Sequence, residues 1–398
     1  MSDIFPYPRP GSNPIATHDT APVAAPVAEV TLAFAPPGEA LGTDKEVRLD
    51  LSGVERYRDT LFLGSDETSG IEVLRRGSQN WGEHVHIPLH DFFDLPGGPE
   101  GEMDIEGVAV HQNWLWLTGS HALKRGNARG IADPTAAMKK LGRLRFDINR
   151  QFVGRLPICD TPDGPRPVLR DGDRRAGHLK FTKSGKLRKW LSCDPLLGPF
   201  VDLPSKDNGL DIEGLAVLGN RLWLGLRGPV LRGYASIVEL ELKADKKGRL
   251  KAKRIDGRRR YRLHLLPTAG AGVRDLVRDG DDLLALLGPA MAGDGATSVL
   301  RWRDGVHRRT SGVWNGPEVE TALELPYRDL KDNPEGLTRW DADHCLIIHD
   351  SPAAHRLSAT AHEIRGDLWR LPRRDASPLP DQPQTEGSQA QDDPVRQV

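Results

Sequence analysis

Three glutamates occupy the same place in a motif that recurs along the chain. The motif reads Asp-Ile-Glu-Gly twice and Asn-Pro-Glu-Gly once, and its glutamates are Glu106, Glu213 and Glu335. Carboxylates that lie close together repel one another, so a divalent cation, a cationic side chain or a raised pKa must compensate them. A hard cation such as calcium binds about six to eight oxygens. The three glutamates therefore predict a divalent-cation site, with calcium as the preferred ion, if the fold brings them together.

Each motif is followed by a short turn and a second apolar segment that ends in polar residues. A histidine there could act as general base on a water, and an arginine could hold a phosphate or a carboxylate. Asp66 or Asp350, with waters, could complete the coordination of the cation. The catalytic candidates are His121, His349, Asp350 and Arg227. The candidates for ligand binding are Arg274, Lys206, Asn208, Asp66 and Glu67.

A structural role for the same glutamates stays open. A residue type that recurs at one place in every repeat is typical of architecture, whereas a chemical site needs different residues in different places. Each glutamate could accept hydrogen bonds from backbone N–H groups and from Arg227 or Arg274, and so join neighbouring repeats.

The spacing of the copies indicates the fold. Aligned on the residue before the first apolar segment, the copies are 54, 107, 61 and 61 residues apart. Units of four short strands that recur at about 40–60 residues are typical of a β-propeller. We predict an all-β propeller of five blades, with six as the alternative because of the double-length gap. The aligned residues are Ser52, Glu106, Glu213, Arg274 and Glu335.

Strand parity then predicts where a site would lie. The first strand of a blade is the innermost, and the second strand returns to the same end of the central channel. The aligned residues and the polar ends of the second strands should therefore converge on one mouth of that channel. Lys206 and Asn208 precede a motif copy and should face the same mouth.

The chain divides into a disordered lead, 1–26, one propeller domain, 27–372, and a disordered tail, 373–398. Helical spacing of Leu187, Trp190 and Leu191 predicts a short helical insertion near 185–200. A second short helix is predicted after Asp133, and the third strand of the second copy over 142–148.

Composition excludes several classes of protein. A net charge of -1 in 398 residues gives no global reason to expect a nucleic acid or an anionic membrane as partner. The cysteines are odd in number and form no CxxC pair, which disfavours a disulfide framework or a zinc ribbon. We find no signal peptide, apolar span, GxSxG, P-loop or HExxH motif, and we expect a soluble cytoplasmic protein. The basic run 249–262 is interpreted as the solvated edge of a blade, so nucleic acid is not expected as a partner.

The run Pro204–Gly214, the Gly-Leu-Arg-Gly-Pro of 225–229 and the Asn-Pro-Glu-Gly beginning at Asn333 resemble a bacterial family of domains of unknown function, number thirty-six sixteen. The resemblance covers about 27–371 and implies a β-propeller without an established activity. More distantly, the repeated Glu-Gly is similar to phytase-like esterase and gluconolactonase-type propellers. Those families hold calcium or another divalent ion through carboxylates, which here implies Glu106, Glu213 and Glu335. The ring departs from an all-carboxylate pattern at Ser52 and Arg274.

Two functions follow from these residues. The first is a metal-assisted hydrolase of phosphoester, ester or lactone substrates at the channel mouth. The alternative is a non-catalytic propeller that binds a small anionic molecule or a protein partner on the same face.

Overall fold

Apolar runs bounded by glycine, asparagine and aspartate turns form antiparallel meanders around one axis. The computed structural model describes residues 25–39, 46–66, 68–291, 293–326 and 331–372. Glu67, nearly all of the predicted lead and the predicted tail lie outside these ranges. Within them the regular structure is almost entirely β, with two α-helices.

The strands pair mostly with their sequence neighbours. Strand β1 (Ala28–Ala33) is followed by the first meander: β2 (Leu51–Tyr57), β3 (Thr60–Ser65), β4 (Gly70–Arg76) and β5 (Trp81–Pro88). The second meander and its insertions comprise β6 (Ile105–His111), β7 (Trp114–Gly119), β8 (Lys124–Arg125), α1 (Pro134–Leu141), β9 (Leu144–Arg145), β10 (Val153–Thr161), β11 (Gly164–Pro167), β12 (Arg170–Asp171), β13 (Arg174–Arg175), β14 (Gly177–His178) and α2 (Lys186–Leu191).

The remaining meanders follow in the same way. The third comprises β15 (Asp211–Leu218), β16 (Arg221–Gly228), β17 (Tyr234–Ala244), β18 (Leu250–Ala252) and β19 (Tyr261–Pro267). The fourth comprises β20 (Ala271–Asp279), β21 (Asp282–Pro289), β22 (Ser298–Trp302), β23 (Gly312–Val313), which pairs in parallel with β19, and β24 (Val319–Glu324). The last comprises β25 (Asn333–Arg339), β26 (His344–Asp350) and β27 (Glu363–Arg370).

The first strands of the meanders form a closed ring. In the described ranges β2 contacts β6, β6 contacts β15, β15 contacts β20, β20 contacts β25, and β25 contacts β2. Strand β1 pairs with β27, so the last sheet takes strands from both ends of the described chain. This ring of sheets confirms the predicted all-β propeller class.

The core lies between adjacent sheets. Trp116 and Trp223, on the second strands of their meanders, are fully buried among apolar side chains of the neighbouring strands. Trp114 is only half-buried, and its ring lies 3.8 Å from the guanidinium carbon of Arg155. Each described helix is too short or too polar to cross a bilayer.

The insertions agree with the sequence in part. Helix α2 lies in the region predicted to be helical, and α1 begins after Asp133, whose carboxylate accepts a hydrogen bond from the Ala136 N–H at 2.6 Å. The strand predicted over 142–148 is wrong: only β9 forms there, and the third strand of the second sheet is β10. Within 142–148 Leu144 is half exposed, so the alternation there marks no buried strand.

Candidate functional site

A β-bulge stands at the aligned position of every copy. In each first strand the register shifts at the aligned residue, so that residue has no partner directly opposite on the second strand. A bulge adds a residue to one strand and re-aims its side chain. The positions so displaced are Ser52, Glu106, Glu213, Arg274 and Glu335.

The glycine after the bulge allows close contact between neighbouring first strands. A Cβ added at Gly214 would lie 2.7 Å from the Cβ of Leu276 on β20. A Cβ added at Gly107 would lie 2.6 Å from the Cβ of Leu215 on β15. The two residues of the Glu-Gly pair thus have different roles: the glutamate lies in the bulge, and the glycine allows the next first strand to pack closely.

Arginines neutralise one side of the ring. Arg274 places Nε 2.6 Å from Oε2 of Glu335 and Nη1 3.1 Å from Oε2 of Glu213. Arg227 places Nη1 2.7 Å from Oε1 of Glu213 and Nη2 2.8 Å from Oδ2 of Asp211. Burial opposes the charge of Arg227, but the two carboxylates outweigh it and hold its pKa above the ordinary value. On this side the glutamates join neighbouring sheets through ion pairs.

Carboxylates crowd together on the other side. Asp66, Asp104 and Glu106 each offer an oxygen, and these oxygens lie within 4.8 Å of one another. We call these three residues the acidic triad. Asp66 follows β3, Asp104 directly precedes β6 and Glu106 lies at its start, so the triad lies between the first two sheets.

The triad is incompletely neutralised. Asp104 pairs with Arg150 at 2.8 Å and with Lys124 at 3.4 Å, but both cations also contact Glu102. Glu106 is only 6% exposed, and among the described residues no hydrogen bond or ion pair reaches its carboxylate or that of Asp66.

The charges within the triad perturb one another. Burial, followed by the charges of Asp66 and Asp104, raises the pKa of Glu106 well above its ordinary value. Burial, followed by Asp104 and Asp350, raises the pKa of Asp66 in the same direction. The raised pKa values favour the protonated forms of these carboxyl groups, and a bound cation would instead favour their ionised forms.

Asp350 and Lys206 lie near the acidic triad. Asp350 is half-buried, and burial raises its pKa while Arg274 and Lys206 oppose the rise. Lys206 is exposed. Asp350 therefore lies within electrostatic range of both Asp66 and Arg274.

The other predicted residues have different surroundings. The ring of His121 is buried, and burial, followed by the charge of Arg188, lowers its pKa to about 3. His349 is buried with Nε2 3.7 Å from Oδ2 of Asp367. Asn208 accepts a hydrogen bond from Val230 N–H at 2.8 Å and holds the loop after β16.

Sequence reasoning passed over residues that shape the site. Asp104 and Asp211 stand two residues before a ring glutamate, and the motif itself contained this signal. Glu102, Lys124 and Arg150 carried no such signal, because they lie outside the repeated motif and meet Asp104 only through folding.

The chain belongs to the family described as Protein of unknown function (DUF3616), whose model matches residues 50–367. No curated protein sequence matches the chain. Similar solved structures include the glutaminyl cyclase of Myxococcus xanthus, at 9% identity and a TM-score of 0.39 over 89% of this chain and 98% of the other. The PQQ-bound aldose sugar dehydrogenase of Streptomyces coelicolor has 11% identity and a TM-score of 0.34, over 87% of this chain and 99% of the other. The calcium-binding protein regucalcin of Agrobacterium tumefaciens has 12% identity and a TM-score of 0.32 over 86% and 96%. Likenesses this low carry no argument about activity.

Proposed function

We propose that this DUF3616 propeller is a divalent-cation-dependent hydrolase of phosphoester, ester or lactone substrates, with its site over the acidic triad. The observation that carries the proposal concerns the pair Asp66 and Glu106: within the described ranges no cation forms an ion pair with either carboxylate, although the charges of Lys124 and Arg227 reach them. A divalent cation would balance the charge that raises both pKa values.

The donor set fits a hard cation. The triad offers carboxylate oxygens alone, which suit calcium, magnesium or manganese, whereas zinc and copper favour nitrogen and sulfur. We assign Asp350, which is close enough to perturb the pKa of Asp66, to the reaction rather than to the coordination of the cation. Waters would complete the coordination, as they do in many calcium sites.

A cation held there would polarise the substrate's carbonyl or phosphoryl oxygen and lower the pKa of a bound water. The chain's own residues would do the rest. Lys206, exposed beside Asp350, would attract the anionic part of a substrate. Asp350, whose raised pKa makes it a better proton acceptor than an ordinary aspartate, would take the proton of the attacking water.

The first experiment locates the cation. Calcium, manganese and magnesium are titrated into the protein by calorimetry, and binding is compared in Glu106→Gln and Glu213→Gln. We expect Glu106→Gln to weaken binding at least about tenfold, since about 1.4 kcal/mol separates affinities by that factor. Glu213→Gln should change affinity little, because Glu213 is occupied by Arg227 and Arg274. Equal losses would instead indicate a cage made of the three ring glutamates, and no binding to the unmodified protein would overturn the proposal.

The second experiment tests turnover. Aryl phosphate, aryl ester and sugar lactone substrates are assayed with each cation, and Asp350→Asn is compared with the unmodified protein. We expect Asp350→Asn to lower kcat while cation binding persists. Cation binding without turnover of any substrate would remove the hydrolase and leave the second candidate.

The second candidate is a non-catalytic propeller that binds a small anionic molecule or a protein partner on this mouth. Its support is that both histidines expected to act as general bases are buried. His121 lies in the interior, and His349 lies beside Asp367. A thermal-shift screen of phosphates and carboxylates, with and without calcium, would identify such a ligand by stabilisation without turnover.

A further inference from the structure

Two basic segments that are distant in sequence lie side by side in the fold. One is 180–189, after β14, and the other is the run 249–262 at the outer part of the third sheet. A parallel bridge joins Leu179 to Leu250. The contact is tight, because a Cβ added at Gly177 would lie 1.8 Å from the carbonyl oxygen of Gly248.

The cations near this contact lack acidic partners. We call Lys180, Lys186, Lys251 and Arg260 the outer basic patch. None of the four makes an ion pair within the described ranges, and Lys180 and Lys251 are exposed. The acidic groups nearby are paired with other residues, Asp245 with Arg249, Glu241 with Lys253 and Asp194 with Tyr261.

The four side chains are close enough to repel one another. Burial, followed by the charges of Lys180, Arg260 and Lys251, lowers the pKa of Lys186. The guanidinium of Arg260 lies 5.9 Å from the ring of Trp190 on α2 and donates to the carbonyl of Ala252. The fold thus fixes one cation of the patch and concentrates positive charge on a protein with a net charge of only -1.

We propose, against the expectation from the sequence, that the outer basic patch binds the phosphate backbone of a nucleic acid, because the fold adds the cations of 180–189 to the run 249–262. Clustered lysines and arginines neutralise phosphates and release counterions, which supplies sequence-independent affinity. Stable binding to a lipid surface commonly adds exposed apolar anchors to such cations. Here the apolar side chains beneath the cations, such as Leu179, Leu187 and Leu250, are buried in the core.

The patch is separate from the acidic triad. Its residues lie on β18, before β19 and around α2, whereas the triad lies between the first and second sheets at the first strands. The inference therefore does not depend on the proposed hydrolase, and either can fail alone.

The test measures binding of labelled mixed-sequence oligonucleotides by fluorescence anisotropy at low salt. Duplex DNA, single-stranded DNA and single-stranded RNA are compared, using the full chain. The patch variant carries Lys180→Gln, Lys186→Gln and Lys251→Gln. The matched control loses the same charge elsewhere, through Lys139→Gln, Lys140→Gln and Arg143→Gln, which are exposed at the end of α1 and beyond.

We expect the patch variant to bind at least about tenfold more weakly than the control variant. The slope of log K against log salt should also fall by about two to three units, since each phosphate contact contributes about 0.7–0.9. Urea unfolding of both variants checks that the fold is intact.

Three results would overturn the inference. The first is that the unmodified protein binds no oligonucleotide at low salt. The second is equal oligonucleotide binding by the patch and control variants. The third is binding to phosphatidylserine vesicles or polyglutamate but to no oligonucleotide. The last would assign the patch to a lipid surface or an acidic protein.

Discussion

Replacement of Arg274 by methionine should destabilise the propeller strongly. Its guanidinium lies between Glu213 and Glu335, at 3.1 Å and 2.6 Å, and only 10% of its side chain is exposed. At an effective dielectric constant of about 20, each such pair attracts by about 5–6 kcal/mol at these distances before desolvation is counted. Desolvation of the arginine offsets much of this gain, but its removal leaves a buried carboxylate without compensation. We therefore expect a loss of about 3–5 kcal/mol in the free energy of unfolding.

Urea unfolding near neutral pH, without added divalent cations, measures this loss. Adding Glu335→Gln to Arg274→Met should recover part of the stability, because the double variant no longer buries an unpaired charge. The matched control is Arg58→Met, which removes an exposed ion pair with Asp160 and should leave stability almost unchanged. A loss below about 1 kcal/mol in Arg274→Met would refute the view that this arginine neutralises the ring.

Two further variants probe the first strands. Glu55 is half-buried, and burial raises its pKa from 4.5 to about 8. Between these pH values the folded state keeps a proton that the unfolded chain releases. The free energy of unfolding therefore falls as the pH rises from 4.5 to about 8. After allowance for solvent screening, Glu55→Gln should raise the free energy of unfolding at pH 8 by about 1–3 kcal/mol and leave it unchanged near pH 4. Urea unfolding across this pH range measures the difference. Parallel stability curves for the variant and the unmodified protein would contradict the prediction. Gly214→Ala should cost about 1–3 kcal/mol, because its Cβ would lie 2.7 Å from that of Leu276. Gly142→Ala is the control, since its nearest neighbour lies at 3.5 Å, and equal Tm values for the two variants would show that the strands can move apart.

The sequence repeat predicted the ring of aligned residues because each of them stands at a β-bulge in its first strand. A bulge recurs at the same position of each first strand, and the close approach of neighbouring strands favours a glycine after it, so Glu-Gly stays recognisable in three copies. The prediction failed at 142–148, where local alternation imitates a strand. Alternation reports which side of a strand is apolar, but only tertiary contacts decide whether that side is buried.

The pairing of carboxylates with cations could not be predicted from the motif. Arg150 lies 46 residues beyond Asp104 in sequence, after the insertion that contains α1, and reaches it only because β10 pairs with β7. The acidic segment before β6 and the basic residue before β10 carry no shared pattern. Their partnership depends on how the insertion folds back, which the spacing of the motif leaves undetermined.

The order of residues around the ring explains why excess negative charge collects at Glu106. The first strands contact one another in chain order and close into a ring, so Arg274 is flanked by Glu213 and Glu335 and pairs with both. Glu106 is flanked by Glu213 and by Ser52, whose hydroxyl donates to the carbonyl of Ile105 and supplies no charge. Two ring glutamates thus share one arginine. Within the described ranges no cation forms an ion pair with the third, although its charge acts on Arg227. The ring departs from an all-carboxylate pattern at Arg274 and Ser52. As a result, its excess negative charge lies at the first two sheets, where Asp66 and Asp104 join Glu106, rather than at the ring centre.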